Sequence, residues 1–355
     1  MNEILPSPDP LGLPVPPALL LALKLGGFVL HMIFMQLWLA GLPAALALLC
    51  CRRRSAERLF TAMPFFMAFG INAGIVPLLF IQTLYPQFFY PATILQAWFW
   101  FLVIPLLIIA YYAVYLAAFG RFRLIAAIVA ALLLSWIGLS FSAAMTLLPM
   151  PEKWPAIFLA TAQAGSVHGL FLHLPAEAFL RWLLMAGMAC GTVAAYLALD
   201  AEWFARDPDY VSETRAVVVF LYAVGLVLYA AAAGRYAPMV ENHLPPLWRV
   251  AVGAGLPAAA LLAVVYWRWA GKGAAAALIA AQLFVIVSNA LARQAVQTRE
   301  LRKWIDLERI PVRGEWGSFF LFVVALMIAL GVLVWIARLA LRSRKSSPAT
   351  APRST

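Results

Sequence analysis

No carboxylate stands near the middle of any long apolar run in this chain; Glu57, Glu177, Glu213 and Glu300 all fall toward run ends. Ionisable groups inside a membrane mark ion and proton routes. Their lack argues against a proton pump and against a cation-coupled transporter. Charge is scarce throughout. Of 355 residues 12% are charged and 65% hydrophobic, against roughly 25% and about 45–50% in a soluble domain. With a mean hydropathy of +0.90, the chain must use lipid as solvent, and no large soluble domain fits within it.

Cysteine is nearly missing too. Cys50, Cys51 and Cys190 form no CxxC or CxxCH, which excludes a thiol-held metal motif and a covalently attached c-type haem. Short alternating strands are absent, which excludes a barrel and leaves helices as the spanning element. The start, MNEILPSPDPLGLPVPP, lacks a basic n-region, so no cleaved signal is expected. The net charge of +11 would suggest nucleic acid in a soluble protein. Here the basic residues fall between apolar runs, where positive-inside topology accounts for many of them, and no nucleic-acid partner is expected.

What is present is length of apolar sequence. About 20 apolar residues cross ~30 Å of hydrocarbon as a helix. Nine runs qualify: 19–50, 58–84, 92–119, 124–148, 177–200, 214–235, 249–269, 273–297 and 317–341. The expected fold is an all-α polytopic helix bundle of about nine transmembrane helices. A Pro-rich segment, 1–17, precedes the bundle at 18–341, and a basic, disordered tail follows at 342–355. Arg52, Arg53 and Arg54, Arg121 and Arg123, Arg206 and Arg215, Arg268 and Lys272, and Arg342, Arg344 and Lys345 follow alternate runs. They mark one cytoplasmic face, with the N-terminus outside and the C-terminus inside. The loop 298–316 conflicts, because Arg299, Arg302, Lys303, Arg309 and Arg313 fall outside on this reading. The loop 149–176 is apolar yet broken by glycine, and is expected to lie on the outer surface or fold back over the bundle.

Polar residues inside the runs are few. Lys24, His31 and Met35 share one side of the first helix, since steps of seven and four return to one face. Asn72 lies in FGINAGIV, between Gly70 and Gly74, and Pro64, Pro77 and Pro105 are expected to kink their helices. Arg181 is one turn into the fifth helix. Gln282, Asn289, Arg293 and Gln297 form a polar stripe on the eighth, which serves either interhelical hydrogen bonding or a pocket for an anionic or quinone-like group. His31, His168, His173 and His243 all fall in the outer half of this topology. A membrane b-type haem takes His or Met as axial ligand, and Arg181 and Arg293 lie on the side where its propionates would need cations.

VLHMIFMQLWLAG, FGINAGIVPLLFIQTLYPQFFYPATILQAWFW, FLRWLLMAGMACGTVAAYLAL and SNALARQAVQTREL resemble a family of bacterial multi-span inner-membrane proteins associated with respiratory electron transfer. The first two stretches are distantly similar to the start of the cytochrome bd oxidase large subunit. That resemblance implies His31 as the metal ligand of a heme b, with Met35, Met185 or Met188 as further ligands. It implies Arg181 as a basic residue near the haem edge. Where a second histidine is expected, about one turn beyond Arg181, this chain has Leu184 or Met185. The oxidase's Gln/Arg-rich quinol loop and its membrane glutamates are missing, so dioxygen reduction is not expected. The implied function is that of a respiratory subunit in the bacterial inner membrane. It would bind quinol, and a b-type haem, near the outer face through His31, Met35, Asn72, Arg181, Asn289 and Arg293. Its partners would be membrane lipid, the quinone pool, and a c-type cytochrome or other respiratory subunits. A transporter or channel for a small solute, or a cofactor-free scaffold, stays open beside it.

Overall fold

A computed structural model describes residues 5, 6, 8, 10–120, 122–163, 166–167, 174–205, 207–240, 246–250 and 255–346. Arg121, His168, His173, Arg206, His243 and the tail from 347 lie outside the described residues. The helices are α1 (Pro17–Leu39), α2 (Gly41–Cys50), α3 (Arg54–Leu84), α4 (Pro86–Ile94), α5 (Trp98–Phe101), α6 (Val103–Phe119) and α7 (Arg123–Leu147). Then come α8 (Trp154–Thr161), α9 (Ala176–Leu199), α10 (Pro208–Val240), α11 (Pro246–Val250), α12 (Leu256–Arg268), α13 (Lys272–Arg302) and α14 (Trp316–Ser346). Two-residue strands, β1 (Ala162–Gln163) and β2 (Ser166–Val167), pair antiparallel within the 149–176 loop.

Among the described residues seven helical stretches are long and apolar enough to cross a membrane. Two further apolar helices, Leu256–Arg268 and Trp316–Val332, are shorter over those residues. The chain is therefore an all-α, multi-pass bundle.

Proline explains where the long runs break. Pro43 has no N–H to give Leu39, and the first run divides there into α1 and α2. Pro64 and Pro77 stand inside α3, as expected. Pro105 does not kink a long helix. The run at 92–119 restarts at Val103, so Pro105 falls in the first turn of α6, where an N–H would have no partner anyway.

Small residues set the packing, since lipid gives apolar helices no reason to prefer each other and close backbone contact must. Ala110, Ala113 and Ala117 of α6 and Ala126, Ala127 and Ala130 of α7 are buried in one apolar core. The α9–α10 seam is closer still. A methyl on Gly187 or on Gly225 would lie 2.7 Å from the other's carbonyl oxygen, so neither position accepts a side chain.

The chain divides into two compact units, one of Leu21–Asp306 and one pairing Pro8–Leu20 with the segment from Leu307 onward. In the second, the Leu13 N–H donates to Pro311 O (2.8 Å), Arg313 N–H to Leu13 O (2.9 Å) and Glu315 N–H to Pro14 O (2.7 Å). Gly12 turns the chain into this contact at φ +71°, where a Cβ would sit 2.1 Å from Pro311 O. The Pro-rich start and the 307–315 stretch therefore lie side by side.

Candidate functional site: a histidine beside three cations

His31 turns onto α3. Its Nδ1 is 2.8 Å from Gly70 O. A carbonyl oxygen only accepts, so Nδ1 carries the proton and Nε2 keeps its lone pair. Gly74 makes the room: a Cβ there would stand 2.7 Å from His31 Nδ1 and 2.9 Å from Cε1. Nothing among the described residues bonds Nε2. Metal-ligating imidazoles are held in this same way, with the other ring N–H given to a carbonyl.

Around it gather positive charges. Lys24, buried at 3% exposure, donates from Nζ to Gln297 Oε1 at 2.7 Å, with the Tyr85 ring 5.8 Å away. The Arg293 guanidinium lies over Phe28 at 4.4 Å and has no hydrogen-bond partner among the described residues. Protein atoms crowd around Arg293, yet the residue is exposed, so it stands in an open cleft and not in the core. Arg181 donates from Nη2 to Thr146 Oγ1 at 2.9 Å. Lys24, His31, Arg181 and Tyr236 all lie near enough for charge to act between them and Arg293. Among the described residues no carboxylate acts on Lys24, His31 or Arg293.

The other expected residues divide. Asn289 is engaged below the cleft: its amide donates to Tyr229 Oη and to Val285 O (2.9 Å), and it accepts from Trp248 Nε1 (3.4 Å). Met35 packs against the buried cluster that holds Met32, Leu184, Met188 and Tyr229. Leu184 is thus a core residue. Asn72 is not brought to the cleft; it lies on the exposed side of α3 and donates to its own Ala68 O at 2.8 Å. Deeper, Gln282 donates to Met188 O (2.9 Å) and Thr192 Oγ1 (3.0 Å), and Thr192 Oγ1 donates to Gln36 Oε1 (2.6 Å).

The far end of the bundle carries ion pairs. Arg58 pairs with Asp200, which is 3% exposed, and Tyr210 Oη donates to Asp200 Oδ2 at 3.1 Å. Arg123 pairs with Glu57, and Arg54 with Asp207 at 3.0 Å. Asp207 also caps α10, its Oδ1 accepting from the N–H groups of Asp209 (3.0 Å) and Tyr210 (3.4 Å). Its carboxyl sits below the ordinary range: burial is the largest single influence and pushes upward, but the N–H groups of Tyr210 and Asp209 and the Arg54 charge together outweigh it. Sequence reasoning missed Asp200 and Glu202, because a π-helical turn, Asp200–Ala205, carries α9 past its expected end. It also missed Tyr222, Tyr229 and Tyr236, whose seven-residue spacing was there to find.

Among the described residues no three His, Cys, Asp or Glu side chains converge as a metal site; His31 is the one histidine they include. Compared with known proteins, the chain matches no family model and no curated protein.

Proposed function

We propose that this chain is a membrane subunit of a respiratory electron-transfer system whose His31–Arg293 cleft receives a redox group, a quinol or a b-type haem. The observation that carries this is a single one: among the described residues His31 Nε2 has no partner, and no carboxylate acts on the Lys24 and Arg293 charges beside it. A quinol hydroxyl donates to that lone pair and surrenders its proton there. Arg293 and Arg181 stabilise the oxyanion that remains, since a cation raises the stability of nearby negative charge most where water is scarce. Lys24 adds to the same field. Asn289, tied by Tyr229 and Trp248, holds the wall of the cleft. A haem, were it bound, would be held by His31 through Nε2, with Arg181 and Arg293 near its propionates, and would supply one-electron chemistry.

The proposed setting is the bacterial inner membrane, crossed nine times, with the N-terminus outside and the C-terminus cytoplasmic. The contact of residues 12–14 with 311–315 supports a shared face for these two segments. The Arg54–Asp207 and Arg123–Glu57 pairs support a shared face for the ends of the first, third and fifth runs. Electrons would pass from the quinone pool to a c-type cytochrome or another respiratory subunit. A reporter fused after Arg54 should read cytoplasmic and one after Pro151 periplasmic; the reverse pattern sinks the sidedness.

The deciding experiment is a reduced-minus-oxidised spectrum of purified protein, with extraction of bound quinone. Haem or quinone should be present and should be lost in His31→Ala while the protein still inserts. A second possibility, a carrier or channel for an anionic solute, is favoured by the same three cations. Protein free of haem and quinone, yet stabilised by added anions, would select it.

A further inference from the structure

α6 and α7 pack side by side through buried alanines, and both turn an outer face away from the bundle. The α7 face is what lipid requires. Its exposed residues are Leu124, Ile125, Ile128, Val129 and Leu132, all aliphatic. The α6 face starts alike with Ile104 and Ile108, then breaks the rule with Tyr112 and Tyr115 before it ends on Phe119. Steps of four, four, three and four put these five on one row. Tyr112 is 68% exposed, and among the described residues its hydroxyl has no partner. Tyr115 Oη meets only its neighbour Tyr111 Oη among those residues, at 3.4 Å.

The end of the helix sets the depth of these hydroxyls. Arg123 donates from Nε to Ala117 O at 3.0 Å and from Nη2 to Ala118 O at 3.3 Å, and it pairs with the exposed Glu57. Water therefore begins near Ala118. Tyr112 stands six residues earlier, ~9 Å of helix away. Helical side chains lean toward the N-terminus, so its ring carries the hydroxyl farther from that water and not back to it. Tyrosine ordinarily anchors at the membrane boundary; these hydroxyls lie inside a hydrocarbon core ~30 Å thick. Lipid tails offer them nothing, and an unbonded hydroxyl in hydrocarbon is costly.

We propose that this face of α6 receives a second copy of the chain, with the Tyr112 and Tyr115 hydroxyls of the two copies bonded to each other across a two-fold axis. Complementarity selects that occupant. From Val103 to Phe119 the helix has no charged and no amide side chain, so nothing on it recruits a charged or carboxamide-bearing span. A phenol donates one hydrogen bond and also accepts, so the same patch turned about a two-fold axis supplies what it needs. The row from Ile104 to Phe119 is ~22 Å long, enough for a full helix-to-helix contact. The aliphatic α7 face beside it stays with lipid. Interhelical hydrogen bonds inside a membrane are individually weak, so the dimer is reversible and follows the density of protein in the bilayer. It does not rest on the redox reading, and it stands or falls whether or not haem or quinone is bound.

The test is purified full-length protein carrying one fluorophore at its C-terminus, reconstituted in liposomes and counted by single-molecule photobleaching across protein-to-lipid ratios. Wild type should pass from one bleaching step to two as density rises. Tyr112→Phe keeps the ring and removes the hydroxyl, twice in each dimer, and should weaken association about fivefold. Adding Tyr115→Phe should weaken it further. Tyr90→Phe, at an exposed position on α4, should change nothing. The melting point of dilute, monomeric Tyr112→Phe should equal that of wild type, which separates lost association from lost folding. Single steps at every density overturn the proposal. So do clusters that grow beyond two, because a two-fold contact closes. Wild-type association in the double variant, or equal weakening by Tyr90→Phe, overturns it as well.

Discussion

The two ends of this bundle treat positive charge in opposite ways. Where α3 begins, Arg54, Arg58 and Arg123 each meet a carboxylate. At the other end Lys24 and Arg181 meet neutral oxygens, and Arg293 meets a ring. A paired charge costs least and holds helices together. An unpaired one inside a span costs free energy that only an anionic or polarisable guest recovers. The first end is thus held by ion pairs, and the second carries the cations on which the proposed binding rests.

The sharpest way to break that contrast is Asp200→Ala. It strands Arg58, and breaking a pair of this kind costs about 3 kcal/mol, below the fully buried figure because Arg58 keeps 32% exposure. Thermal unfolding in detergent should show the loss, and Arg58→Met in the same chain should restore most of it. If single and double variants melt alike, the paired end is not the stabilising one.

Gly74→Ala should come next, at about 2 kcal/mol, as an overpacked contact does. Its methyl would press on the imidazole, so bound haem or quinone should fall more steeply than stability. Arg293→Met should act with the opposite sign. Removing one of several like charges should stabilise ligand-free protein by about 1 kcal/mol, read as a higher melting point, while abolishing anion-induced stabilisation. A melting point that falls as it does for Asp200→Ala would show that Arg293 has a partner after all.

The smallest effect should come from Asp207→Ala. The native carboxyl is held low, so its contribution is present above the usual carboxylate range and is lost as pH falls through the folded value. Melting of wild type should therefore drop below about pH 4 by slightly more than that of the variant.

The helices were legible because twenty apolar residues leave lipid-embedded backbone few alternatives. The α13 stripe was legible because its spacing repeats. Three things left no mark of that kind. His31 is held by the Gly70 carbonyl, and a backbone partner has no signature in the sequence. Asn72 sits beside Gly70 and Gly74 in the chain, but one residue of helix is a rotation of ~100°, enough to aim it elsewhere. Asp200 read as a helix end, since a π turn is not announced by residue type. The likeness to an oxidase subunit rests on the quoted stretches alone.

The glycine contact between α9 and α10 bears on the order of assembly. These helices are neighbours in the chain, and contacts close in sequence form early. Gly187 and Gly225 let the hairpin close while the rest is still being made. The polar residues of α13 come later from the ribosome, and Gln282 then settles over Gly191, where a side chain would lie 2.5 Å from its Oε1. A nascent chain can thus close the α9–α10 hairpin before α13 exists to pack over it.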